Sequence, residues 1–303
     1  MRVPVDKPSR ESIVSVKQLQ ADGWYKIVKN PKPFVGYPVI VALMAVLQVL
    51  TVVFGNKMFM FFGFQVSAGW IYLMPIVFYL FQIVAECYGW QYARQIMWIN
   101  IIVNLMLSII MSAFSMIPAN MNIDHADIET AYTTLLNYQT APAINMLISM
   151  FVADYITSAL MCWSKFHWKG KNIVIRMAIL HCIAELIIGS GWLLIGPMHG
   201  YTVAECWRQV LDSFYARTLV MIALLPVGSF VIKWIQSSLE GVTVFDLNIR
   251  FSPFKFKINP EESVQFSTAD WHKIADKKID PKTLANHYDR DSLEKQLQKV
   301  NKS

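Results

Sequence analysis

The sequence predicts an all-α protein, a polytopic membrane helix bundle with six transmembrane helices and a polar cytoplasmic C-terminal tail. Three observations lead there. The 303 residues are 55% hydrophobic and only 16% charged, whereas a soluble chain carries about 25% charge. Apolar runs of roughly 20 residues recur, and at ~1.5 Å rise per residue each can span the ~30 Å hydrocarbon core of a bilayer. The charge, net +6, is concentrated at the two ends and in one short loop, the pattern of basic cytoplasmic segments.

Residues 1–37 form a basic lead with seven Lys/Arg, read as a cytoplasmic N-terminal segment without a secretory signal peptide. Within it, Ser12–Gln20 has mild helical periodicity suited to a membrane surface. The transmembrane domain is expected over residues 38–236. Its first span is about Pro38–Phe54, and Met58–Phe64 behind it suits a short re-entrant or strand-like turn. The second span is Gly69–Tyr88, with Pro75 as a site for a bend. The third is about Ala93–Met116. Residues 118–142 form a loop with acids but no Lys or Arg. The fourth span is about Ala143–Trp163, followed by the basic loop Lys165–Lys171. The fifth is Ile173–Ile195 and the sixth about Val210–Ile235. Residues 237–303 mix charges evenly, hold Pro253, Pro260 and Pro281, and read as a partly ordered cytoplasmic tail dispensable for function. A short helix is expected there at Ser292–Val300. Counting basic residues in the connectors places both termini in the cytoplasm.

Ionisable residues inside spans are expensive and face protein or a watery cavity. Five stand out: Glu86, Asp154, His181, Glu185 and Arg217. His181 and Glu185 are four apart and share a helix face, with Gly189 one turn on. Gln82 and Glu86 likewise share a face of the second span. An internal ion-pair network that orders the bundle is one reading, with Arg217 pairing Asp154 or Glu185. A polar cavity for a substrate, a proton or both is the other, favoured because acids outnumber permanent cations. Asn100 and Asn104 read as helix-bridging residues. The four cysteines are scattered, with no CxxC pair, and the three in or at the ends of apolar runs read as packing residues. His181 and Glu185 have no third matched ligand, so no metal site is expected. No GxSxG, Walker or GxGxxG pattern occurs, which removes hydrolase, ATPase and dinucleotide-enzyme readings.

These residues resemble the queuosine precursor transporter family, also called the vitamin uptake transporter family. The likeness lies in Asn56 after the first span, then Pro75 and the run Glu86–Cys87–Tyr88–Gly89 followed by Ala93–Arg94. It continues with the acid Glu185 in the fifth span, and Arg217 ahead of Pro226 in the sixth. It covers about residues 38–236. The chain departs at three points: Gln82 and Glu185 stand where the family usually has Asp, and Arg217 where it has Lys. It therefore reads as a diverged member. The resemblance implies a secondary transporter, not an enzyme, importing 7-deazaguanines such as preQ0 or preQ1 across the inner membrane, with a proton gradient as candidate drive. The implied substrate-binding set is Glu185, Asp154, Gln82, Glu86, His181, Arg217 and Asn56, with Trp192, Tyr79 or Trp70 available to stack. No catalytic residue, cofactor or nucleic acid is expected; the partners are the small molecule and membrane lipid. The rival readings are a non-transporting scaffold whose tail binds a partner, and an intramembrane enzyme using His181 and Glu185.

Overall fold

The structure, a computed structural model, describes residues 34–55, 57–117, 126–168, 170–246, 251–255 and 263–267. The expected Ser12–Gln20 and Ser292–Val300 helices and the candidate Asn56 lie outside the described residues. Among the described residues, six helices are long and apolar enough to cross a membrane. They are α1 (Gly36–Val53), α2 (Met74–Cys87), α3 (Trp90–Ser115), α4 (Ala126–His167), α5 (Ile173–Ile195) and α6 (Val203–Trp234). α2 is entered through a π-helical turn, Gly69–Leu73, so its span runs Gly69–Tyr88. Pro75 falls in the first turn of α2, where its missing N–H breaks no helical bond. The bend expected at this proline is thus replaced by the π turn ahead of it.

α2 is the hub. Within its span, 78% of residues are buried, against 22–39% in the other five. Its Val77, Phe81, Val84 and Ala85 pack on all sides, and the main core gathers around them. The outer helices turn Leu43, Ile109, Ile148, Leu186, Ile222 and Phe230 outward, as lipid-facing helices do.

The strand-like turn expected behind the first span is present, and two helices begin earlier than expected. Met58–Ser67 is a β-hairpin, with β1 (Met58–Phe61) antiparallel to β2 (Phe64–Ser67) and Phe61 opposite Phe64. Its two-residue turn, Phe62–Gly63, has positive φ at both positions, 49° and 90°, as a hairpin twist requires. α4 begins at Ala126, not near 143, and runs 42 residues. Asp127 and Glu129 in its first turn complement the helix dipole, and the Leu- and Ala-bearing sequence behind them continues the helix. α6 likewise begins earlier than expected. A capping box starts it, with Glu205 N–H donating to Thr202 Oγ1 (3.2 Å) and Thr202 N–H to Glu205 Oε2 (2.7 Å).

The segment after α6 returns to the bundle. β3 (Val242–Asp246) pairs antiparallel with β4 (Ser263–Ser267). Residues 240–246 and 251–253 sit on the end of the bundle where α1, α3 and α5 begin and α2, α4 and α6 end, here the proximal face. Glu240 accepts from the backbone N–H of Gly36 (2.8 Å) and from Tyr88 Oη (3.2 Å). Asp246 accepts from Trp90 N–H (2.8 Å) at the start of α3. Lys165, at the end of α4, donates to Thr243 Oγ1 (3.0 Å) and the Val244 carbonyl (2.8 Å). The carbonyls of Phe251, Ser252 and Pro253 accept from Tyr155, Arg94 and Trp98. The thin apolar content of this segment, which suggests a detached tail, is offset by polar docking onto helix ends.

Candidate functional site

α2, α5 and α6 bring a polar centre together at membrane depth. His181 and Glu185 lie one turn apart on α5, both 2% exposed. Glu185 Oε2 is 2.7 Å from Arg217 Nη2 on α6, and Glu185 Oε1 is 4.0 Å from His181 Nε2. The Arg217 approach is an ion pair by distance without the angles of a hydrogen bond, so both Glu185 oxygens remain without a hydrogen-bond donor. Arg217 is held by its Nε–H, donated to the Ser213 carbonyl (3.3 Å), and lies 5.8 Å from the Trp70 ring centroid. Gln82 on α2 donates its amide to the Met177 carbonyl (3.4 Å), one turn before His181. One turn before Gln82, Phe78 meets the His181 ring edge-on at 6.4 Å. Gln82 Oε1, both His181 ring nitrogens and Arg217 Nη1 are also buried without partners. Such groups normally find partners, so this cluster holds unspent hydrogen-bonding capacity.

Small residues let these helices close. A Cβ on Gly189 would lie 2.8 Å from Val210 Cγ1, and one on Gly228 would lie 3.0 Å from both Met177 and Tyr79. Gly189 thus serves the α5–α6 contact. Of the aromatic residues, Trp70 faces the centre through Arg217. Tyr79 Oη donates to the Met221 carbonyl (2.8 Å), and Trp192 Nε1 to Gln209 (2.9 Å).

Two expected residues sit elsewhere. Glu86 lies at the proximal end of α2, where Arg176 of α5 grips both its oxygens at 2.8 and 2.9 Å. Asp154 on α4 accepts from Asn100 Nδ2 of α3 (3.4 Å) and touches neither Arg217 nor His181. Arg176, 2% exposed, escaped sequence reasoning because it lies in the first turn of its span, where an Arg reads as part of the basic loop. The usable signal was depth: Arg176 and Glu86 both sit at the proximal ends of their spans. Lys165, 3% exposed, was hidden likewise within the basic loop Lys165–Lys171.

Residues 67–231, more than half of the chain, match the family described as putative vitamin uptake transporter, and the chain belongs to that family. No curated protein and no solved structure matches it.

Proposed function

We propose that this chain is a secondary transporter that imports a queuosine precursor, a 7-deazaguanine such as preQ0 or preQ1, or a similarly small planar heterocycle. Import runs across the inner membrane, with both termini cytoplasmic and a proton gradient as drive. The observation that carries the reading is Glu185, a buried carboxylate that Arg217 meets at Oε2 (2.7 Å) while Oε1 has no hydrogen-bond donor. A guanine-like edge presents a ring N–H and an amino group side by side, which two carboxylate oxygens accept together. Beside it, Gln82 offers a free amide oxygen, and His181 offers ring nitrogens that suit either a donor or an acceptor on the ligand. Arg217 neutralises Glu185 while the site is empty and turns an Nη–H toward a substrate carbonyl when it fills. The family supports small-molecule transport; the donor pattern narrows the class of molecule.

Uptake of labelled 7-deazaguanine by transport-deficient cells expressing the chain is the test, with competition by purines, deazapurines and pteridines. Heterocycles carrying the adjacent N–H and amino groups should compete, and analogues lacking the amino group should compete at least about tenfold less well, the loss of roughly one hydrogen bond. Uptake indifferent to every planar heterocycle would refute the reading.

A further inference from the structure

The three carboxylates buried in the spans are treated unequally. Glu86 has Arg176, and Glu185 has Arg217. Asp154, 2% exposed near the middle of the Leu147–Lys165 span, has no cation among the described residues. Among the described residues its one hydrogen-bond partner is the Asn100 amide on Oδ2, and Oδ1 has none. The charged and titratable groups on the elements packed against α4 are committed elsewhere. Glu86 and Arg176 hold each other, and Glu185 and His181 belong with Arg217. Arg94 reaches the Ser252 carbonyl, Asp246 caps α3, and Lys165 binds Thr243 and Val244. An unpaired ionised carboxylate at lipid depth is costly by several kcal/mol, so Asp154 needs a counter-ion that arrives from solution.

The surroundings fit a proton. A line of buried hydrogen-bonding side chains leads from Asp154 toward the face opposite the C-terminal segment. Asn104 Nδ2 donates to the Asn100 carbonyl (2.9 Å), Gln48 Nε2 donates to Asn104 Oδ1 (3.3 Å), and Ser108 lies one turn further along α3. On the other side, Thr157 and Ser158 follow on α4, and Ser158 Oγ is buried without a partner. Among the described residues no group of three His, Cys, Asp or Glu side chains is placed to hold a metal ion. We infer that Asp154 is a proton-binding site separate from the Glu185–Arg217 centre, loaded along the Ser108–Asn104–Asn100 line and unloaded past Ser158 to drive transport. Loading converts the carboxylate to the acid by adding one proton, and unloading returns that proton on the opposite face. This rests on the transporter reading above.

The test uses the full chain in proteoliposomes with labelled 7-deazaguanine. Wild type should accumulate label under an inward proton gradient, about tenfold per pH unit for one coupled proton, and should exchange label without a gradient. Asp154→Asn should keep exchange within about threefold of wild type and lose accumulation, whereas Asp154→Glu should keep both. Accumulation by Asp154→Asn, loss of exchange in folded Asp154→Asn, or accumulation that follows a sodium gradient would each overturn the proposal. Infrared spectroscopy of the protonated-carboxyl band needs no substrate. A band that shifts in Asp154→Glu and stays put in Glu185→Asp supports the site, and its absence overturns it. Absence of wild-type exchange would sink the substrate assignment instead, and the infrared result would then decide Asp154 alone.

Discussion

Glu185 and Glu86 are both buried carboxylates facing an arginine, and their geometry separates them. Arg176 grips Glu86 through two parallel hydrogen bonds, a closed pair with nothing left to offer. Arg217 meets Glu185 through one contact, at Oε2, and leaves Oε1 without a donor. Glu185→Gln should therefore weaken substrate affinity by about 2–5 kcal/mol, roughly 30- to several-thousand-fold, even when Arg217 is neutralised with it. Binding titrations read this out, and full rescue in the double variant would make Glu185 structural. Glu86→Gln should act on stability, because a buried Arg176 left unpaired is destabilising by about 3–5 kcal/mol. Joint replacement of Glu86 and Arg176 by Met should recover most of that loss, as seen in denaturant unfolding in detergent. Depth and residue type made the acids legible in the sequence. Which arginine each one meets was not, because that depends on helix rotation, which six mostly apolar faces leave open.

At the scale of elements, the spans were readable to within a few residues because hydrophobic length sets them. α2 and α5 match the sequence reading, while α4 and α6 start earlier, where the capping and propensity signals lie in polar sequence. The C-terminal segment was the least legible. Its docking depends on Glu240 and Asp246 finding the starts of α1 and α3, contacts across more than 150 residues of sequence. Such caps are worth about 1 kcal/mol each. Gly89 makes room for Asp246: its φ is +83°, and a Cβ there would lie 2.9 Å from the Asp246 carboxylate. Glu240→Gln with Asp246→Asn should lower stability by about 2 kcal/mol, measured as unfolding in detergent. An unchanged transition would mean that the segment adds no stability where it rests.

Among the described residues the six helices make an even number of crossings, so the segment after α6 lies on the side where α1 begins and reaches the start of α1. The proposed orientation rests on charge: the Lys165–Lys171 run is basic, and the stretch 118–142 has no Lys or Arg. An impermeant thiol reagent applied from outside should label a cysteine placed at Asn122 and miss one placed at Lys169. The reverse pattern would invert the molecule in the membrane and turn the proposed import into export.

The central position of α2 also bears on how the protein is made. Its span is less apolar than the first, and its Gln82 and Glu86 are buried in the finished bundle. During synthesis, however, it leaves the ribosome before α5 and α6 exist, so neither Arg176 nor the Met177 carbonyl is yet there to receive those side chains. The second span must therefore wait at the translocon or in its company, half-committed to lipid, until the fifth arrives. Nascent chains stopped near residue 140 should cross-link to the insertion machinery through α2, and chains extended past residue 200 should release it. Release at the shorter length would show that α2 needs no later partner to settle.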